Sequence, residues 1–456
     1  MTTRPAPSGP RPSSDVSAAI GLTGVAGLAV WVCVCHFWPE IADALNAPGP
    51  RARLVGPYAA LLGLVITALP MVLWSVLIDK VHLRPSTGID WSLRRPIAAI
   101  FDISVTKLAG LWATWALIAA LYCLCRWYWS SPYLIAMEVL SALALPLFVL
   151  SIPYVFWLDR RLVESRDACW HFGAVLIGRE AADRSQVWIH LRAWAVKGFF
   201  TAFMISIVPG GFTNLVAPDW SVMAASPAGL AAILVTLMFV LDEQVGTVGY
   251  VLTMKPLDAQ IRSANPYVAG WLAALLCYPP FQIMGAGRPI FYTAGTDGDD
   301  NWARVLGGFE ALQWGWAGLL VVLTAIYAWA TVAFGIRFSN LTYRGVLTNG
   351  PYAFTRHPAY LSKNLFWWCA VLPMFVTTGS FTDMVRNTFF LGVVSAIYFW
   401  RARTEEKHLL AEDPKYVAYW HWMEANGLIT APLARLGRAL NARRPGVQSA
   451  SAAPSS

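Results

Sequence analysis

Apolar runs of roughly 20 residues recur ten times along this 456-residue chain, and no other feature limits its fold as tightly. In helical form, about 20 apolar residues cross the ~30 Å hydrocarbon layer of a bilayer. Inside that layer no water satisfies the backbone, so a helix must satisfy its own. The runs lie near 17–38, 55–78, 108–125, 133–158, 187–209, 228–253, 266–284, 311–334, 360–378 and 387–402. Charged residues make up 13% of the chain and hydrophobic residues 57%, whereas a soluble globular protein carries about 25% charge. A soluble enzyme of this composition could not cover its own surface. The expected fold class is all-α, a polytopic integral membrane protein with about ten transmembrane helices.

A net charge of +8 raises the question of nucleic acid, because basic proteins often bind phosphate backbones. The placement of the charge argues against it. With Arg192 and Arg401 counted among the loops they border, 26 Lys and Arg fall on the two tails and the even-numbered loops, against 6 on the odd-numbered loops. That is the positive-inside pattern. It predicts both termini in the cytosol, membrane lipids as surroundings and no nucleic-acid partner; in a bacterium the location would be the inner membrane. The seven cysteines have no zinc-type spacing, and Asp297, Asp299 and Asp300 lack an EF-hand's full spacing and terminal Glu. No metal site is expected.

Residues 1–16, rich in Pro and Ser, read as a disordered tail, and 441–456 as a second one. Between them lie an N-terminal transmembrane module over 17–300, with no role evident, and a C-terminal module over 301–440. Asp242 and Glu243 fall inside the sixth run, where ionisable residues are functional candidates.

Chemistry concentrates in the C-terminal module. The block GPYAFTRHPAY (350–360) precedes one apolar run, and FWRARTEEKHLLAEDPKYVAYW (399–420) follows the next. A short connection makes these two runs a helical hairpin, so both polar blocks return to the same membrane face. Pro358 suits the first turn of a helix, with Arg356 and His357 at its start. The second block carries Arg401, Arg403, Glu405 and Glu406 where a span leaves the bilayer; Arg401 and Glu405, four apart, are spaced for a surface ion pair.

RHPxY with a following EE block and a Tyr-x-x-Tyr ending resembles the isoprenylcysteine carboxyl methyltransferase family, over about residues 329–420. The wider superfamily includes phospholipid methyltransferases and sterol reductases. The resemblance implies an S-adenosylmethionine-dependent methyltransferase acting on a lipophilic acceptor, with a carboxylate expected. It implies cofactor binding by Arg344, Gly345, Val346, Leu347, Tyr352, His357, Pro358, Ala359, Tyr360 and Glu406, and a catalytic Arg403 holding the acceptor carboxylate. The chain departs from the family pattern at Ser362, commonly Gly, with Lys363 beside it. The segment between the glutamates and Tyr416 is also shorter than usual. A carboxylate is already ionised at pH 7, so its methylation needs alignment rather than a base. An amine acceptor would need a base, for which His357 and His408 are the candidates. The alternatives are an NADPH-dependent reductase of the sterol reductase type, and a non-enzymatic lipid-binding or transport protein.

Overall fold

The computed structural model describes residues 9–131, 133–179, 181–296, 301–372 and 380–442. Nine helices organise it: α1 (Ala18–His36), α2 (Pro57–Leu73, continued by a π turn over Trp74–Ile78), α3 (Ile97–Cys125), α4 (Leu134–Asp159), α5 (Arg184–Val216), α6 (Pro227–Val251), α7 (Glu310–Phe334), α8 (Pro358–Val371) and α9 (Phe381–Glu412). A further helix, α10 (Pro414–Asn426), folds back after α9. The strand content among the described residues is one two-residue antiparallel pairing, Ser263–Ala264 with Thr342–Tyr343. It ties the loop after α6 to the loop after α7.

Among the described residues seven helices, α1 to α7, are long and apolar enough to cross a membrane. A lipid surround accounts for their outer faces. On α4 every residue from Ser141 to Leu150 is exposed, a surface that water would not tolerate.

Local sequence sets the helix starts. Ser17, Asp183, Ser226 and Ser380 each accept a backbone N–H bond at the start of α1, α5, α6 and α9, satisfying donors the helix leaves open. Close packing then relies on small residues, as in membrane helices generally. A Cβ on Gly21 of α1 would lie 2.0 Å from the Val332 carbonyl oxygen of α7, so those backbones touch.

Three expected spans differ in the structure. The run at 266–284 is helical only over Val268–Leu275, because Pro279 and Pro280 lack N–H donors and cannot extend the helix. The third span begins at Ile97, eleven residues early. Lys107 can sit inside it because its Nζ lies 2.6 Å from Asp159 and 3.2 Å from Asp167. The helix of the last run, α9, begins at Phe381 and continues beyond the apolar residues 387–402 through the EE block to Glu412. The ninth run is helical to Val371, and its residues 373–378 lie outside the described residues, as do Asp297, Asp299, Asp300 and the tail from 443.

The N-terminal segment, read above as a disordered tail, is ordered over residues 9–16 and strapped to the loop after α7. Asp15 N–H donates to Val346 O (2.9 Å), and Val346 N–H donates back to Asp15 Oδ2 (2.7 Å). Thr348 bonds Pro12 O, and Lys415 Nζ reaches Asp15 Oδ1 at 2.5 Å. Residues 1–8 lie outside the described residues.

The strap, the loop after α6, the loop after α7 and the start of α10 therefore meet at one end of the helix bundle. At the other end Arg53 bonds Ala217 O, and Asn301 bonds Val371 O.

Candidate active site

Three helices deliver one stripe each to a common cavity at the strapped end of the bundle. Tyr327, Thr331 and Phe334 come from α7; Ala359, Tyr360 and Lys363 from α8; Tyr398, Arg401, Glu405 and His408 from α9. Spacings of three and four put each set on a single helix face. The loop after α7, residues 337–347, and Tyr352 close the outer end. The cavity leaves about 170 Å³ for the centres of water molecules, many times the ~10–15 Å³ that one water needs. It is sized for a ligand.

At its rim the two polar blocks join through one carboxylate. Glu406, nearly buried, is hydrogen-bonded to His357 Nε2 at 3.0 Å on Oε1 and to Arg403 Nη1 at 2.8 Å on Oε2, and forms an ion pair with Arg356, whose Nε lies 2.8 Å from Oε1. Burial pushes the Glu406 carboxyl up, but hydrogen bonding from His357 and the charges of His357, Arg356 and Arg403 outweigh it. The net effect holds Glu406 below its ordinary 4.5. His357 stands at the N-cap of α8 without capping it, which leaves its ring free for Glu406. Arg356 also lies over the Trp420 ring, 4.8 Å from its centroid.

Glu405 turns inward instead and accepts the Tyr360 hydroxyl. Arg401, one turn back on α9, is buried among the rings of Tyr278, Tyr360 and Tyr398 at 5.1–5.5 Å. Its Nη2 donates to Asn340 Oδ1 at 3.3 Å and lies 4.0 Å from Glu405. The spacing that reads as a surface ion pair is thus part of the cavity wall.

Of the residues named from sequence, Arg344, Gly345, Val346, Leu347, Tyr352, His357, Ala359 and Tyr360 line the cavity. Pro358 starts α8 and is buried behind it. The two terminal nitrogens of Arg344 donate to the carbonyls of Gly249, Leu252, Ala259, Ile336 and Phe338, which fastens the loop, and only its Nε lacks a partner. Gly345 has φ +119, and a Cβ there would meet Arg337 Nη1 at 2.7 Å. Arg403 does not line the cavity, and its side chain is 60% exposed. Arg401 faces inward in its place. His408 lines the wall, bonded to Ser263 at 3.0 Å, and burial draws its pKa down.

Sequence reasoning missed Tyr278, Tyr327, Thr331, Tyr398 and Asn340. The 327/331/334 and 398/401/405/408 spacings were readable, but nothing in them shows which face of the helix turns toward a cavity. Asp242 of α6 sits behind the wall, accepting Tyr327 OH at 2.7 Å and the Thr331 hydroxyl. Glu243 points elsewhere, against Gly211 of α5. No group of three or more potential metal ligands occurs among the described residues.

Compared with known proteins, the chain matches no protein-family model, no curated protein and no solved structure.

Proposed function

We propose that this chain is an integral membrane methyltransferase that moves a methyl group from S-adenosylmethionine to a lipophilic acceptor. The observation that carries the reading is the joining of the two polar blocks on Glu406, at the rim of a cavity walled by seven tyrosines (278, 327, 352, 360, 398, 416 and 419). Tyrosine faces attract a cation held against them, and the carboxylate of Glu405 lies within the same wall. A sulfonium suits such surroundings. Arg356, His357 and Glu406 would hold the cofactor from the loop end, with the loop 344–347 against it. The acceptor would come from the lipid side, with Arg401 orienting it.

Chemically the protein has to align and desolvate. The acceptor's electron pair forms a bond to the methyl carbon as the carbon–sulfur bond breaks, giving neutral S-adenosylhomocysteine. Fixing donor and acceptor in line supplies much of the rate, and excluding water protects the charged reactants.

A second reading, an NADPH-dependent reductase, draws on five cationic side chains in the wall: Arg337, Arg344, Arg356, Lys363 and Arg401. Phosphates would suit them. Some of these donors are engaged, Arg337 on Asp258, the Arg344 terminal nitrogens on carbonyls and Lys363 on Tyr327, whereas Arg356 Nε and Nη1 and Arg401 Nε are buried without a hydrogen-bond partner. The seven-tyrosine wall, which suits a sulfonium rather than phosphates, favours the methyl donor. Purified protein should bind S-adenosylmethionine, with S-adenosylhomocysteine competing. Tight NADPH binding without S-adenosylmethionine binding would replace the first reading with the second.

A further inference from the structure

The membrane end of the cavity contains a device that alignment alone does not require. Lys363 lies one turn inward from Tyr360 on α8, and its Nζ donates to Tyr327 OH at 3.4 Å. Tyr327 OH in turn donates to Asp242 Oδ2 at 2.7 Å, and Thr331 supplies the carboxylate with a second hydroxyl. Lys363 and Tyr327 line the cavity, while Asp242 stands behind them. The three side chains come from three helices, so no local structural need places them in a row. Lys363 is also held over the rings of Tyr327 and Trp367, at 4.7 and 5.3 Å from their centroids. Ionisable groups at membrane depth cost free energy and mark functional paths.

From this row, and resting on the methyl-transfer reading above, we infer that Lys363, Tyr327 and Asp242 form a proton relay and that the acceptor is a lipid whose nucleophile carries a proton, an N–H or O–H group. A carboxylate acceptor is ionised before it arrives and has no use for a base.

The steps balance. One proton moves from Lys363 to Tyr327 while the tyrosine's own proton passes to Asp242, leaving a free amine facing the cavity and a carboxylic acid behind it. The lysine nitrogen then takes the acceptor's proton as the acceptor's nitrogen or oxygen bonds to the methyl carbon. The carbon–sulfur bond breaks, and its electron pair stays on sulfur. The products are methylated lipid, S-adenosylhomocysteine, a protonated Lys363 and a protonated Asp242, and loss of the Asp242 proton to solvent restores the starting pair. Lys363 is the catalytic residue of this scheme; Tyr327 and Asp242 position and discharge it.

The test uses the full chain in native lipid membranes with tritiated-methyl S-adenosylmethionine. Lipids are extracted and treated with alkali, which releases methyl esters as volatile methanol and leaves N-methyl and ether methyl groups in place. The label should enter the lipid fraction and stay non-volatile. Lys363→Met should lower incorporation on the order of 100-fold, the usual scale for a general base, with S-adenosylmethionine affinity within about threefold of the unsubstituted protein. Tyr327→Phe keeps the ring and removes only the hydroxyl, so it guards against misfolding; it should lower incorporation about tenfold or more. Volatile label, full activity in either variant, or binding without any label in lipid overturns the relay while leaving the cofactor assignment standing. Failure of the unsubstituted protein to bind S-adenosylmethionine overturns the methyl-transfer reading and the relay with it.

Discussion

At the residue scale, one carboxylate organises two stretches of chain 49 residues apart. Because the folded protein holds Glu406 below its ordinary 4.5, its charge contributes stability that is fully present above that value. The contribution disappears as pH falls through the folded pKa. Glu406→Gln should therefore lower the thermal midpoint in detergent by a constant amount from pH 7 to 5, and the gap should close in more acid solution. A gap that widens with acid would contradict the arrangement. The two arginines separate in the same way. Arg403 is solvent-facing, and an exposed pair contributes about 0.2–1 kcal/mol, so Arg403→Ala should reduce turnover no more than about fivefold. Arg401→Lys should abolish most of it, since a point charge cannot replace a planar fork held among three tyrosines; equal losses in a lipid-methylation assay would reject the distinction. His357, Tyr360 and Glu406 were legible in the sequence because they lie in compact polar blocks. Arg401 and Lys363 were visible as charges, but their inward direction depends on helix rotation, which the spacing of charges does not fix. Asp242 was legible as an anomaly within an apolar run, though nothing in sequence could pair it with Tyr327, 85 positions away.

At the element scale, the loop after α7 has little regular structure, two strand residues and short 3-10 turns at Gly335–Arg337 and Gly350–Ala353, yet it forms the cavity's outer wall. Arg344 fastens it from inside and the N-terminal strap from outside. Pro, Ser and charge in residues 9–16 suggest disorder when read alone. Such a segment becomes ordered here because Asp15 meets Val346, Arg84 and Lys415 together. Deleting residues 1–16 should leave the helix bundle intact, raise amide exchange over 344–349 at least tenfold, and weaken cofactor binding. Unchanged exchange in that loop would mean that Arg344 and its carbonyls suffice. The same logic explains the misplaced seventh span. Hydropathy alone identified an apolar run at 266–284, but two adjacent prolines limit its helix to eight residues, and the rest delivers Tyr278 to the cavity.

At the scale of the whole molecule, α1 to α7 supply the membrane body, and the chemistry sits where α7, α8 and α9 open toward the loops. The first 300 residues are more than ballast. α6 contributes Asp242, α1 packs its Gly21 on α7, and the loop after α6 pairs with the cavity wall. A module boundary near 300 therefore divides the sequence more cleanly than it divides the site. Alternating loop charge gives an expected sidedness for the bundle, since that expectation depends only on the order of spans and the bias of Lys and Arg. The same alternation gives a topology prediction. The loop carrying Ser92 belongs to the strapped end, whose 79–96 segment bonds Asp15 and Asp258 through Arg84. The loop carrying Ala286 follows Tyr278 away from that end, and further along it Ala294 pairs with Asn387 near the start of α9. Both Ser92 and Ala286 are exposed. In a background with the native cysteines replaced, Ser92→Cys should react with an impermeant maleimide only from the cytosolic side, and Ala286→Cys only from the opposite side. The assignment of the cytosolic side is the one the positive-inside bias predicts. Labelling of both from one side would mean that the chain crosses the bilayer an even number of times between them, and the span order would have to be redrawn.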